Sequence, residues 1–185
     1  MLFEYLEDIP GADAAFRARG ADLPELFRSA WQAVHGVLTD REPGEDAEPT
    51  GVCEPGETSE PGEKLAPGEN LEPGDNDRER PVRGGDSAAV RRRAIELTGT
   101  ELDLLLLDFL QEQLYYKDAE GVLYAVAAVE IRAAGDQWQL QAELAGEPID
   151  HTRGPLGMDV KAVTLDRLGL RRTADGWEAT VVLDL

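Results

Sequence analysis

At 185 residues, with 42% hydrophobic residues, a formal net charge of −20 and a single cysteine, Cys53, the chain has the size and apolar content of one domain with one core. The charge excludes a nucleic-acid binder of the usual kind, whose affinity comes from Lys and Arg neutralising phosphates, and favours cations or basic protein surfaces as partners. The lone cysteine excludes an internal disulfide and a thiolate zinc site.

No apolar run reaches the roughly 18 to 20 residues of a membrane span. The opening MLFEYLEDIPG also lacks the basic and apolar stretches of a signal peptide. The expectation is a cytoplasmic protein with no membrane partner.

Taken in chain order, a short apolar piece is followed by AAFRARG, in which Ala14, Phe16 and Ala18 alternate with Ala15, Arg17 and Arg19, the period of a strand. After Gly20, Asp22 is placed to cap a helix with Pro24 in its first turn. Leu23, Phe27, Trp31, Val34 and Leu38 then recur at helical spacing. His35 lies at the edge of that stripe, a packing or surface position rather than a ligand.

Residues 42–77 are a different material. Proline recurs at 43, 49, 55, 61, 67 and 73, and the stretch holds twelve Asp or Glu against one Lys. A hexapeptide repeat can build a β-helix only if each rung supplies an inward aliphatic residue, and here the variable positions do not. Proline, glycine and like-charge repulsion all oppose folding, so residues 41–88 read as an acidic Pro/Gly-rich disordered insertion in a single domain spanning 1–185.

Beyond it, AVRRRAIELTG predicts a strand, and Thr100 is placed to cap a helix over ELDLLLLDFLQEQLYYKD. That helix is expected to bury Leu102, Leu105, Leu106, Phe109 and Leu110, with Leu104 and Leu107 widening the face. Two hairpins follow: VLYAVAAVEIRAAG with WQLQAELAGE across Gly-Asp, and VKAVTLDRLGLRRT with GWEATVVLDL around ADG. The order predicts an α+β fold, a mostly antiparallel mixed sheet with two main helices packed on one side.

No phosphate-cradling loop, Ser-His-Asp arrangement or paired histidines is present. What stands out is the placing of acids. Asp13 precedes the first strand, and Asp184 is the penultimate residue of an apolar last strand, beside the α-carboxylate of Leu185. If those strands are neighbours their oxygens converge, as hard ligands suited to calcium, magnesium or manganese. The alternative is that both acids are strand ends facing water.

The flanks of the insertion resemble the archease family. EYLEDIPGADAAFRARG is similar to the family's opening segment, LPELFRSAWQAVHGVLTD to its first helix, and LDLLLLDFLQEQLYYKD to its Leu-rich helix ending in Leu-Tyr. GEPIDHTRGPLGMDVKAVTLDRLGL and WEATVVLDL resemble its closing segments. The resemblance implies no enzyme but an activator of an RtcB-type GTP-dependent RNA ligase, which acts in tRNA splicing or RNA repair. It would promote guanylylation of the ligase and its multiple turnover, with little direct RNA contact. It also implies a divalent-cation site, calcium first and magnesium or manganese as alternatives, at Asp13, Asp184 and Leu185.

Lys161 and Asp8 are the partner contacts it suggests. The chain departs from the pattern at Pro10, where the family has a histidine, and in the spacing from Asp8 to Asp13, which is one residue longer. Two other functions stay open: a chaperone-like modulator of another RNA-processing enzyme such as a tRNA methyltransferase, and a hydrolase using Asp13 and Asp184.

Overall fold

Helix α1 (Leu23–Thr39) begins where the sequence places it. In the computed structural model, Asp22 Oδ1 accepts the Glu25 N–H at 2.8 Å, and the Glu25 carboxylate reaches back to the Ala21 N–H at 2.7 Å. Side chains on both sides of the first turn thus close it in the manner of a capping box. The structure describes residues 3–6, 12–39, 90–149 and 157–185, which belong to one compact unit. The proposed insertion 41–88, Asp8, Pro10 and His151 lie outside the described residues.

Helix α2 (Leu102–Glu120) corrects two expectations. Its N-cap is Glu101, with extended backbone and no side-chain cap bond, and the Glu101 carbonyl accepts the Leu105 N–H at 3.0 Å. Thr100 therefore lies one residue too early to cap it. Leu104 is exposed and Leu102, also expected inside, is only half-buried, whereas Leu105, Leu106, Leu107, Phe109 and Leu110 are buried. A helix with leucines at four successive positions cannot turn all of them inward, and Leu104 falls on the outer side. Gly121 ends the helix with φ 61°, a left-handed conformation that glycine adopts without Cβ strain, and its N–H returns to the Lys117 carbonyl.

The strands form two sheets, and all the pairings are antiparallel. One sheet has the order β1-β2-β7-β6, from β1 (Phe3–Tyr5), β2 (Ala14–Gly20), β6 (Ala162–Thr173) and β7 (Gly176–Asp184). The other has the order β3-β5-β4, from β3 (Arg91–Gly99), β4 (Val122–Ala134) and β5 (Gln137–Pro148). The α+β class and two-helix plan stand. Each helix contacts strands of both sheets, so the core lies where the helices meet them.

Its centre is aromatic. The Trp31 ring packs on Phe109 with centroids 4.7 Å apart, and the Trp31 indole N–H donates to the Tyr124 carbonyl at 2.7 Å, satisfying a buried donor while tying α1 to β4. At the far end of β7, a Cβ on Gly176 would stand 2.3 Å from the Gly20 carbonyl oxygen, so only glycine lets the two strand ends approach this closely.

Strand β6 is interrupted. Thr164 pairs with Val182 and Gly169 with Thr180, leaving Leu165–Leu168 opposite Val181 alone. Arg167, inside this bulge, has φ 54°. No described helix is long and apolar enough to cross a membrane.

Candidate functional site

The run VVLDL explains why β7 delivers its acid to one end of the sheet. Val181, Val182 and Leu183 are buried, so the strand has no exposed side chain until Asp184. Strand β2 runs antiparallel beside it, and the Ala14–Leu183 pair is the last in the register. One step further, Asp13 stands across from Asp184, and Asp13 Oδ2 accepts the Leu185 N–H at 3.2 Å.

On the other side of β7, Ala162 pairs with Asp184. The preceding residue, Lys161, donates its N–H to the Asp184 carbonyl at 2.8 Å and its ammonium to the Leu185 main-chain oxygen at 2.7 Å. The structure thus brings together four of the sequence-selected residues, Asp13, Asp184, Leu185 and Lys161, at one exposed end of the β2–β7–β6 strip. Among the described residues no group of three or more His, Cys, Asp and Glu side chains comes together as a metal-ligating set. The oxygens gathered here are two carboxylates and a main-chain oxygen, with a lysine bonded to the last.

The opposite end of the same strip is ionic in another way. Arg19 faces Glu178 across β2 and β7, and Arg171 faces it from β6. Arg19 donates to Glu178 at 3.0 Å, and Arg171 reaches the same carboxylate with two nitrogens. Glu4 binds Arg17 at 2.9 Å and Arg19 at 3.1 Å. Burial alone would push the Glu178 carboxyl up, but the bonds from Arg171 and Arg19 and the charge of Arg17 hold it below the ordinary glutamate value. A cleft of about 310 Å³ beside this cluster is lined by Arg17, Arg167, Arg171, Asp103 and Glu178. Asp103 uses its carboxylate to accept the Leu170 N–H at 3.0 Å.

Sequence reading missed Lys117, in the last turn of α2. Its ammonium lies 2.6 Å from Asp159 and 3.1 Å from Asp118. Burial opposes its charge, yet the bonds to Asp159 and Asp118 raise its pKa overall, and the hydrogen bond from Lys117 lowers that of Asp159. The partners in the Lys117–Asp159 pair are 42 residues apart, so no local signal announces it. His35 is half-buried, and its carbonyl accepts the Thr39 hydroxyl at 2.8 Å.

A family model described as the archease protein family (MTH1598/TM1083) matches residues 84–185. A protein archease of Methanosarcina barkeri is 35% identical over 184 residues, covering 99% of this chain and 95% of that protein. This chain belongs to the archease family. The protein archease of Methanosarcina acetivorans is 30% identical over the same shares of both chains. Among solved structures, the archease-family chain is similar to protein 1598 of Methanobacterium thermoautotrophicum. That match has a TM-score of 0.64 at 27% identity and covers 100% of this chain and 99% of the other. The match to the family model begins at residue 84, so Asp184, Leu185 and Lys161 fall within it and Asp13 does not.

Proposed function

We propose that this archease-family chain is a protein cofactor of an RtcB-type GTP-dependent RNA ligase in tRNA splicing or RNA repair, acting from the cytoplasm and not itself an enzyme. The carrying observation is the convergence of Asp13, Asp184, Leu185 and Lys161 at one exposed end of the sheet, in a chain whose family membership is established. In this reading that end is the tip that approaches the ligase and promotes its guanylylation and multiple turnover.

The donor set fits a hard divalent cation, calcium ahead of magnesium or manganese, because every available donor is oxygen. Asp13 would offer the oxygen not bonded to Leu185, Asp184 its exposed carboxylate, and Leu185 its main-chain oxygen. Three protein oxygens are fewer than the six to eight that calcium takes, so water or a partner would complete the shell. A bound cation would supply positive charge at an otherwise acidic tip.

Lys161 holds the Leu185 oxygen in place through its ammonium and anchors Asp184 through its main-chain N–H, which fixes both residues relative to Asp13. Asp8, a further proposed partner contact, lies outside the described residues.

The test is guanylylation and multiple-turnover ligation by the cognate ligase, with and without the full chain. Wild type is expected to stimulate both, and Asp13→Ala and Asp184→Ala to lose most of that effect while melting as wild type does. Absence of stimulation by wild type would end the ligase assignment. Undiminished stimulation by both variants would remove the acidic tip from it.

A further inference from the structure

We propose that Lys117 is a positioning residue for the acidic tip: it clamps the segment 159–161 to the end of α2 and thereby sets where Lys161, Asp184 and Leu185 stand. The proposal rests on the reading of that tip as a cation site, and it extends the site to a helix that contributes no ligand.

The segment before β6 is strung between the C-terminal ends of both helices. The Gly157 and Met158 N–H groups donate to the Leu38 and Val37 carbonyls of α1 at 2.9 and 3.0 Å. These are among the last carbonyls of a helix, which lack partners inside it. From α2, the Lys117 ammonium binds Asp159 at 2.6 Å and lies 3.5 Å from the Val160 carbonyl oxygen. Val160 is fully buried, and the next residue, Lys161, bonds Asp184 and Leu185. Leu185 in turn donates to Asp13. A continuous path of bonds therefore runs from the last turn of α2 to the start of β2.

The choice of residue argues for a positional role. Only 9% of the Lys117 side chain is exposed, whereas that of Asp159 is 80% exposed. A methionine would fill the buried slot without the cost of drawing an ammonium out of water. What methionine lacks is a donor that fixes Asp159 and Val160 in direction. A lysine in the last helical turn also complements the helix dipole, but that effect alone requires no bond to a neighbouring segment.

The experiment separates position from charge by its sign. Calcium affinity of the full chain is measured by isothermal titration for wild type, Lys117→Met, Lys117→Arg, Asp159→Asn and the Lys117→Met/Asp159→Asn double variant. An Asp13→Asn/Asp184→Asn variant gives the background from the other acids. If Lys117 acted only through its charge, removing it near a cation site would tighten binding. The clamp predicts the opposite: Lys117→Met weakens binding about tenfold, the scale seen when residues that orient metal ligands are removed. Asp159→Asn weakens it similarly, the double variant is no worse than Lys117→Met, and Lys117→Arg restores part of the loss.

Without calcium, the amide resonances of Lys161 and Leu185 should also shift in Lys117→Met. Unmoved resonances, or unchanged or tighter calcium binding by Lys117→Met beside a wild type that binds, would overturn the clamp alone. No wild-type binding above the Asp13→Asn/Asp184→Asn background would overturn the cation site and the clamp with it.

Discussion

At one end of the β2–β7 pairing, Glu178 is nearly enclosed and takes bonds from Arg19 and Arg171, with Arg17 close by. At the other end, Asp13 and Asp184 are exposed, and the neighbouring cation, Lys161, spends its ammonium on a main-chain oxygen. The same two strands thus carry one charged cluster balanced from within and one whose carboxylates face water. Where each acid already has its guanidinium, the cluster stabilises. Where two acids lie exposed and the nearby lysine is bonded to a main-chain oxygen, the carboxylates stay in water, and under the proposed function they are the groups that would meet a cation.

The sharpest way to break this comparison is to remove the balanced acid. Glu178→Gln removes the negative charge that Arg19, Arg171 and Arg17 surround, keeps one acceptor oxygen and turns an amide NH2 toward one of the guanidinium donors, and is expected to cost on the order of 1 to 3 kcal/mol of stability in denaturant unfolding at neutral pH. The Glu178 carboxyl titrates below the ordinary value in the folded chain, so its contribution is present above about pH 4.3 and is lost as pH falls through the lower folded value. Wild type should therefore lose stability in acid more steeply than Glu178→Gln. Parallel acid profiles for the two proteins would mean that Glu178 is not held as described.

A smaller effect is expected at the other end. Asp13→Asn keeps an oxygen that can accept the Leu185 N–H and removes one of the two exposed negative charges at this end. Its unfolding free energy without added metal should stay within about 0.5 kcal/mol of wild type, the range of ordinary surface substitutions. A loss as large as that of Glu178→Gln would make the acidic tip a structural cluster after all.

Much of the fold was legible because its signals are local. The alternation in AAFRARG, the Asp22 cap with Pro24 in the first turn, and the VVLDL strand each state their structure within a few residues. The tip was legible for a related reason: Asp13 and Asp184 mark two strand ends, and pairing those strands brings them together. What escaped was decided by register or by distant partners. β1 is three residues long, and its strand character comes from pairing with β2. The Leu165–Leu168 bulge is visible only against β7, because TLDRLGL reads as continuous strand by composition. Arg19 meets Glu178 across 159 residues, and Lys117 meets Asp159 across 42. Thr100 had the right chemistry for a cap, but Glu101 took the position.

The most direct test of the two-ended account is a set of thermal melts of the full chain with and without calcium, for wild type, Glu178→Gln and Asp13→Asn/Asp184→Asn. At a free calcium concentration about 100 times the dissociation constant, a single site stabilises by about 2.7 kcal/mol, which raises the melting temperature by several degrees in a chain of this size. The account predicts that this rise is present in wild type, kept in Glu178→Gln despite its lower starting point, and absent from Asp13→Asn/Asp184→Asn. A calcium-dependent rise that survives in Asp13→Asn/Asp184→Asn, or that disappears in Glu178→Gln, would contradict it.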